Sequence, residues 1–236
     1  MEQYGYEDLL GIVAALRADD GCPWDRAQTH ESLRPCMAEE AAELIASIRI
    51  LKDTGSFENM REELGDILLQ VVMHSQIAAE EGYFTMADVV NEVSEKMVRR
   101  HPHVFGDAKQ DSVQGVQQNW EAIKAKEKEG KSYIESPLRE IPKELPSLAR
   151  GIKVLRKVDK LYEPIPNDGA CLDSITAAVQ ELSDNDTEEA FREAIVKILM
   201  SVVGISANHK FYAEQMLSDE VESVIEKYEQ KNGQNG

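Results

Sequence analysis

The chain has 236 residues and a formal net charge of −18, from 44 Asp and Glu against 26 Lys and Arg. That length supplies one or two domains with a real core, and 42% hydrophobic residues exclude a fully disordered chain. So acidic a chain repels the phosphate backbone, so no nucleic-acid polymer is expected as a partner, and no apolar run reaches the ~18–20 residues of a membrane span.

The N-terminus, Met1-Glu2-Gln3-Tyr4, lacks the basic-then-apolar pattern of a secretory signal. Helical spacing of apolar residues then runs through almost the whole chain. Leu9, Ile12, Val13 and Leu16 form a first amphipathic stretch, broken at Gly21 and Pro23. Cys22 lies in that break and reads as a thiol in a turn rather than a nucleophile. Cys22, Cys36 and Cys171 are odd in number and scattered, which fits neither a disulfide framework nor paired zinc ligands. A reduced, cytoplasmic protein is expected.

Leu33, Met37, Leu44, Ile48 and Leu51 predict a second helix, with Pro35 tolerated in its first turn. Beyond a short loop holding Gly55, the stripe Met60, Leu64, Ile67, Leu68, Val71, Val72 and Ala78 predicts a third, ended by Gly82. Thr85-Met86-Ala87-Asp88 has the form of a capping box and opens a helix to about Arg100. The stretch from His101 through Pro102 to Gly106 reads as a stop and a loop. Ser112 is placed to cap a helix carrying Trp120 and a charged run to Glu129.

Gly130, Pro137, Pro142 and Pro146 mark a polar linker. The expected organisation is a helical domain over residues 1–130, a linker over 131–146 and a second helical domain over 147–236. Helices are predicted over 148–161, 172–182 and 187–209, with a last one to about Tyr228 and a frayed tail over 231–236. No strand-type alternation is longer than a few residues, so the expected fold class is all-α.

An internal repeat supports two related units. Residues 61–72 align without gaps on 192–203, with six of twelve positions identical. The expected architecture is therefore two tandem antiparallel helical-bundle units.

The most informative feature is two acidic pairs on consecutive helices. Glu40 and Glu43, with Glu39 beside them, form the first; Glu63 and Asp66 form the second. The i, i+3 spacing puts both members of a pair on one side of one turn, at the edge of an apolar stripe. A short loop makes the two helices antiparallel neighbours, which can bring four carboxylates to one rim. Such a group repels itself unless a hard divalent cation sits among its oxygens, and magnesium is the expected ion. Lys96, Arg99 and Arg100 follow at i, i+3, i+4 and suit a bound phosphate chain as well as a helix C-terminus. Trp120 fits stacking on a base or packing on the core. His74, His101 and His103 read as structural.

Together these residues resemble the MazG family of nucleoside triphosphate pyrophosphohydrolases. Glu39-Glu40-x-x-Glu43 and Glu63-x-x-Asp66 match its acidic signature. The flanks agree: Gly21-Cys22-Pro23-Trp24-Asp25 ahead, Arg99-Arg100-His101-Pro102-His103-Val104-Phe105-Gly106 behind, and Asn119-Trp120-Glu121 further on. The resemblance covers roughly residues 6–130. It implies an all-α hydrolase, dimeric or larger, that uses magnesium, with manganese as a substitute. It implies cleavage of ribo- or deoxynucleoside triphosphates to monophosphate and pyrophosphate by attack of a metal-bound water on the α-phosphorus. Glu40, Glu43, Glu63 and Asp66 would be the metal ligands and Glu39 a supporting catalytic acid. Lys96, Arg99, Arg100 and Trp120 would match nucleotide-binding positions.

The second copy departs from the pattern. Ala194 stands for Glu63 and Lys197 for Asp66, while Ala178 or Val179 is the expected counterpart of Glu40. The second unit is therefore expected to bind no metal and to serve packing or oligomerisation. The alternative for the whole chain is a helical scaffold or regulatory binding protein with a vestigial metal site. A ferritin-like di-iron protein is disfavoured, because no Glu-x-x-His spacing accompanies these acids.

Overall fold

The structure is a computed structural model that describes residues 3–109, 112–128, 136–185 and 187–233. Among the described residues every regular element is helical, as the spacing predicts. The chain divides into two compact units, Met1–Lys128 and Glu129–Gly236.

The first unit holds α1 (Tyr6–Arg17), α2 (Pro23–Arg26), α3 (Arg34–Thr54), α4 (Glu58–Glu80), α5 (Met86–Arg100), α6 (Pro102–Phe105) and α7 (Val113–Lys128). Its centre is the hairpin of α3 and α4. Gly55 ends α3 in the left-handed region, φ 76°, and its N–H returns to the Leu51 carbonyl at 2.9 Å. A Cβ is disfavoured there, so glycine makes the tight reversal possible. The core lies toward the far end of α4, where Val72, Met73 and Ile77 pack with Val13 of α1 and with Leu33.

Arg17 ties the segment after α1 to α4. Its Nη1 donates to the carbonyls of Asp25 (2.6 Å) and Gln28 (3.1 Å), and its Nη2 donates to Glu80 Oε2 at 2.7 Å. Gly21 lets the chain turn back here, since a Cβ would lie 2.4 Å from the carbonyl oxygens of Ala15 and Leu16. The capping box of α5 forms as expected: Thr85 Oγ1 accepts from the Asp88 N–H, and the Asp88 carboxylate accepts from the Thr85 N–H. The stretch after Arg100 is not wholly a loop. Pro102, at the first position of a turn whose φ it fixes, starts the one-turn helix α6.

The second unit holds α8 (Ser147–Leu161), α9 (Asp168–Asp184), α10 (Glu188–His209) and α11 (Ala213–Gly233). Asn167 and Thr187 cap α9 and α10 with their side chains. Ile152, Val203, Ala207 and Ala213 form the core. Gly151 permits the close approach of α8 to α10, because a Cβ there would meet Val203 Cγ1 at 2.9 Å. Within the stretch read as a linker, Ile141 is buried and Glu140 pairs with Lys157 of α8 at 2.5 Å. Of the expected frayed tail, residues 234–236 lie outside the described residues, and α11 runs past Tyr228 to Gly233.

Burial gives the internal repeat its register. Glu63, Gln70, Val72, Met73 and Ser75 are buried on α4. Displaced by the offset that carries Glu63 to Ala194, they fall on Ala194, Ser201, Val203, Gly204 and Ser206, all buried on α10. The same offset carries Ser47, fully buried on α3, to Ala178, fully buried on α9. Both hairpins are closed by a three-residue loop, so no gap intervenes.

Candidate active site

The α3–α4 hairpin brings the two acidic pairs together. One carboxylate oxygen each from Glu40, Glu43 and Glu63 lies within 4.8 Å of the others. Among the described residues no other group of three acidic, His or Cys ligands is as close. Glu63 is buried, and Asn59 one turn earlier on α4 donates to its Oε1 at 2.7 Å. Glu40 is half-buried and Glu43 is exposed.

The electrostatics are those of like charges held close together. Desolvation raises the Glu40 pKa first, followed by the charge of Asp66 and then those of Glu43, Glu63 and Glu39. Desolvation also raises Glu43, with the charge of Glu63 next and that of Glu39 after it. Asp66 and Glu39 thus stand close enough to act on Glu40, although only three oxygens close into one set. Oxygen-only donors of this charge suit a hard divalent ion such as magnesium or manganese. Asn59 is a residue that sequence reading missed. A lone asparagine four positions before a glutamate carries no signal of its own.

The basic cluster is organised by another missed residue, Glu127 of α7. Arg99 Nε donates to its Oε1 at 2.7 Å, and Arg100 Nη2 donates to its Oε2 at 2.5 Å. The Arg100 guanidinium lies 5.1 Å from the Trp120 ring centroid, and His101 meets the same ring edge-on at 5.0 Å. Lys96, one turn earlier, is half-buried and makes no ion pair among the described residues. No hydrogen bond or ion pair among the described residues joins this cluster to the carboxylates. Nothing in the charged run after Trp120 marks Glu127 as the one that faces the arginines.

Hydrogen bonds from Arg100 and then Arg99 lower the Glu127 pKa from 4.5 to about 2. A lowered acid pKa contributes stability that is complete above 4.5 and is lost as pH falls toward 2. Glu127→Gln is therefore expected to melt below the wild type at neutral pH, with the gap closing as pH falls through that window. Thermal melts at stepped pH check this; a gap that is constant with pH would show that the ion pairs contribute nothing.

His74 is more than a packing residue. Its Nδ1 lies 2.8 Å from Nδ1 of His30, with the rings stacked at 5.1 Å and 4°. Burial, and then the charge of His30, lowers its pKa. One ring must donate while the other accepts.

In the second unit the corresponding positions hold other chemistry. Ala194 is buried where Glu63 stands, and Lys197, where Asp66 stands, pairs with Glu181 at 2.6 Å. The expectation that Ala178 or Val179 replaces Glu40 is corrected. Burial matches Ala178 to Ser47, which sets Cys171 at the place of Glu40. Cys171 is buried, and a Cβ on Gly204 would lie 2.8 Å from its Sγ. Cys171 and Gly204 thus pack closely at the positions that Glu40 and Met73 hold in the first unit.

The sequence model described as the MazG nucleotide pyrophosphohydrolase domain matches residues 28–105, the span of both acidic pairs. The nucleoside triphosphate pyrophosphohydrolase/pyrophosphatase MazG of Thermotoga maritima is 36% identical over 94% of this chain and 84% of that protein. The chain belongs to the MazG family. The nucleoside triphosphate pyrophosphohydrolase of Escherichia coli K12 is 38% identical, over 66% of this chain and 64% of its own length. An uncharacterized Bacillus subtilis protein, YabN, is 47% identical over 63% of this chain, which spans 29% of it. A crystal structure of a MazG-related protein from Thermotoga maritima matches 50% of this chain and 98% of its own, with 26% identity and a TM-score of 0.42. As a MazG protein the chain is a hydrolase of the nucleotide pyrophosphohydrolase type. Among the described residues no helix is long and apolar enough to cross a membrane.

Proposed function

We propose that this MazG protein hydrolyses nucleoside triphosphates, ribo or deoxy, to nucleoside monophosphate and pyrophosphate in a magnesium-dependent reaction. The observation that carries the reading is the convergence of Glu40, Glu43 and Glu63, with Asp66 acting on Glu40. These four residues would hold the ion. Magnesium bound there supplies Lewis-acid activation of water and neutralises phosphate oxygens. Glu39 orients the water that attacks the α-phosphorus. Lys96, Arg99 and Arg100 take the phosphate chain, and Trp120 the nucleoside. Residues 1–130 are the catalytic domain, 131–146 the connection, and 147–236 a degenerate copy that serves packing and oligomerisation. All three cysteines are free thiols, in keeping with a reducing cytoplasm.

The assembly is a homodimer or a larger homo-oligomer. Ile48, Leu64 and Leu68 are exposed apolar residues on the first hairpin, and Val179, Ile195 and Leu199 are exposed at the matching positions of the second. Exposed apolar residues that recur on both hairpins suit a contact surface, and a second copy would cover them. Sedimentation of the full chain is expected to give at least a dimer.

Incubation with each common nucleoside triphosphate, with and without magnesium, tests the activity. Monophosphate plus pyrophosphate, formed only with the metal, is the expected result. Diphosphate plus phosphate would refute cleavage at the α-phosphorus, and no turnover by the folded protein would favour a scaffold. Lys197→Ala, which breaks an exposed ion pair in the second unit, is expected to leave hydrolysis unchanged and the melting temperature nearly so.

A further inference from the structure

The polar face of α4 continues beyond the acidic cluster. Glu63, Asp66, Gln70 and His74 follow at steps of three and four, which places all four on one stripe of the helix. Two of these positions are tied to the chain facing α4: Asp66 acts on Glu40, and His74 bonds to His30. The Gln70 turn lies between them. Gln70 is buried, and its Oε1 has no hydrogen-bond partner. A buried amide oxygen left unpaired costs about 1–3 kcal/mol, so a group held there needs a reason.

The second unit shows what the position looks like without a ligand. Ser201 replaces Gln70, and its hydroxyl donates to the Lys197 carbonyl of its own helix at 2.8 Å. The position is self-satisfied in the copy that lacks the carboxylates and unsatisfied in the copy that has them.

We propose that Gln70 is a substrate-contacting residue whose amide oxygen accepts a hydrogen bond from a sugar hydroxyl of the nucleoside triphosphate. The inference rests on the proposed function, which sets the phosphates at the carboxylates. An orphan acceptor requires a donor, and phosphate oxygens at neutral pH offer none. Among the groups of the substrate itself, the sugar hydroxyls are the donors nearest the α-phosphorus, joined to it through the 5′ oxygen and the sugar ring, whereas the base N–H groups lie farther off; the attacking water is held by the carboxylates, a turn or more away along α4. Gln70 is four residues beyond Asp66, about 6 Å along the axis, a separation that suits the sugar. Met37, one turn before Glu40 on α3, is half-buried, and its unbranched side chain can yield to a ligand.

The test uses the full chain with magnesium and α,β-methylene triphosphates of adenosine, 2′-deoxyadenosine and 3′-deoxyadenosine, with binding read by calorimetry. The wild type is expected to lose about 10-fold in affinity when the contacted hydroxyl is removed. The two deoxy analogues show whether it is the 2′ or the 3′ group. Gln70→Leu is expected to bind the full sugar about 10-fold more weakly and to be indifferent to loss of that hydroxyl. Gln70→Met, of similar length, carries the same comparison if the leucine variant does not fold. Equal affinity of the wild type for all three analogues overturns the proposal. So does a Gln70 variant that weakens all three equally, which is a structural effect. Pyrophosphate release from ATP by the wild type is measured alongside. Its absence refutes the cleavage reading and leaves the sugar dependence standing, while no binding of any analogue overturns both.

Discussion

Glu43→Gln is expected to lower magnesium-dependent pyrophosphate release by at least about 100-fold, the scale on which even outer partners of a metal ligand act. The same substitution is expected to raise the melting temperature of the metal-free protein at neutral pH. In the fold, desolvation and then the charge of Glu63 hold the Glu43 pKa above its ordinary 4.5. An acid with a raised folded pKa costs stability as pH rises through that value, because the native state must give up a proton it holds more tightly than the unfolded chain does. Glutamine removes the cost. Lowering the pH into the carboxylate range protonates the wild-type residue, and the two proteins converge. Magnesium should raise the melting point of the wild type at neutral pH, less so as protons compete for the same oxygens, and should barely move the variant. Pyrophosphate assays and melts in chelator read both effects. A variant that keeps its activity would remove Glu43 from the ligand set, and one that melts lower in chelator would show that the cluster is not under repulsion.

Arg17→Met should destabilise the first unit by about 2–3 kcal/mol, the cost of taking a charged hydrogen-bond donor from two carbonyls and from a half-exposed carboxylate. The Arg17 side chain is 6% exposed. Its removal strips a donor from the carbonyls of Asp25 and Gln28 and leaves Glu80 without its cation. Glu80→Gln should cost less, because the glutamine amide oxygen still accepts from Arg17, which keeps its bonds to the Asp25 and Gln28 carbonyls. Hydrogen bonding from Arg17 is the largest influence lowering the Glu80 pKa, so this contribution is complete above 4.5 and fades as pH falls below it. Activity should fall with Arg17→Met at temperatures where the fold is intact, since the clamped segment leads into α3 and sets where Glu40 and Glu43 sit. Urea denaturation gives the stability change; a loss under ~1 kcal/mol would show that the clamp is ornamental to the fold.

The helices were legible because each carries its own signals. Thr85 and Asp88 announce a capping box, Gly55 and Gly82 stop α3 and the turn after α4 with positive φ, and the apolar spacing of Leu33 to Leu51 has helical period. The acidic site was legible for the same reason, since i, i+3 spacing needs no tertiary information. Less was visible where one face of a helix serves several ends. Ile48 and Leu64 belong to apolar stripes, yet both are exposed on the single chain. Periodicity identifies an apolar face and says nothing about what covers it.

Composition and local pattern by themselves determined an all-helical, acidic chain with two acidic pairs at i, i+3 spacing on consecutive helices. Those features follow from spacing along one helix and from residue chemistry, both of which are written in order along the chain. The tertiary structure alone decided that Glu127 gathers Arg99 and Arg100, that Asn59 holds Glu63, that His30 meets His74 and that Cys171 stands where Glu40 would. It also decided that Gln70 keeps a buried oxygen without a partner. Each of these depends on which side chain of one helix faces which side chain of another. That choice is made by the packing of whole faces, a collective outcome that no short stretch of residues encodes.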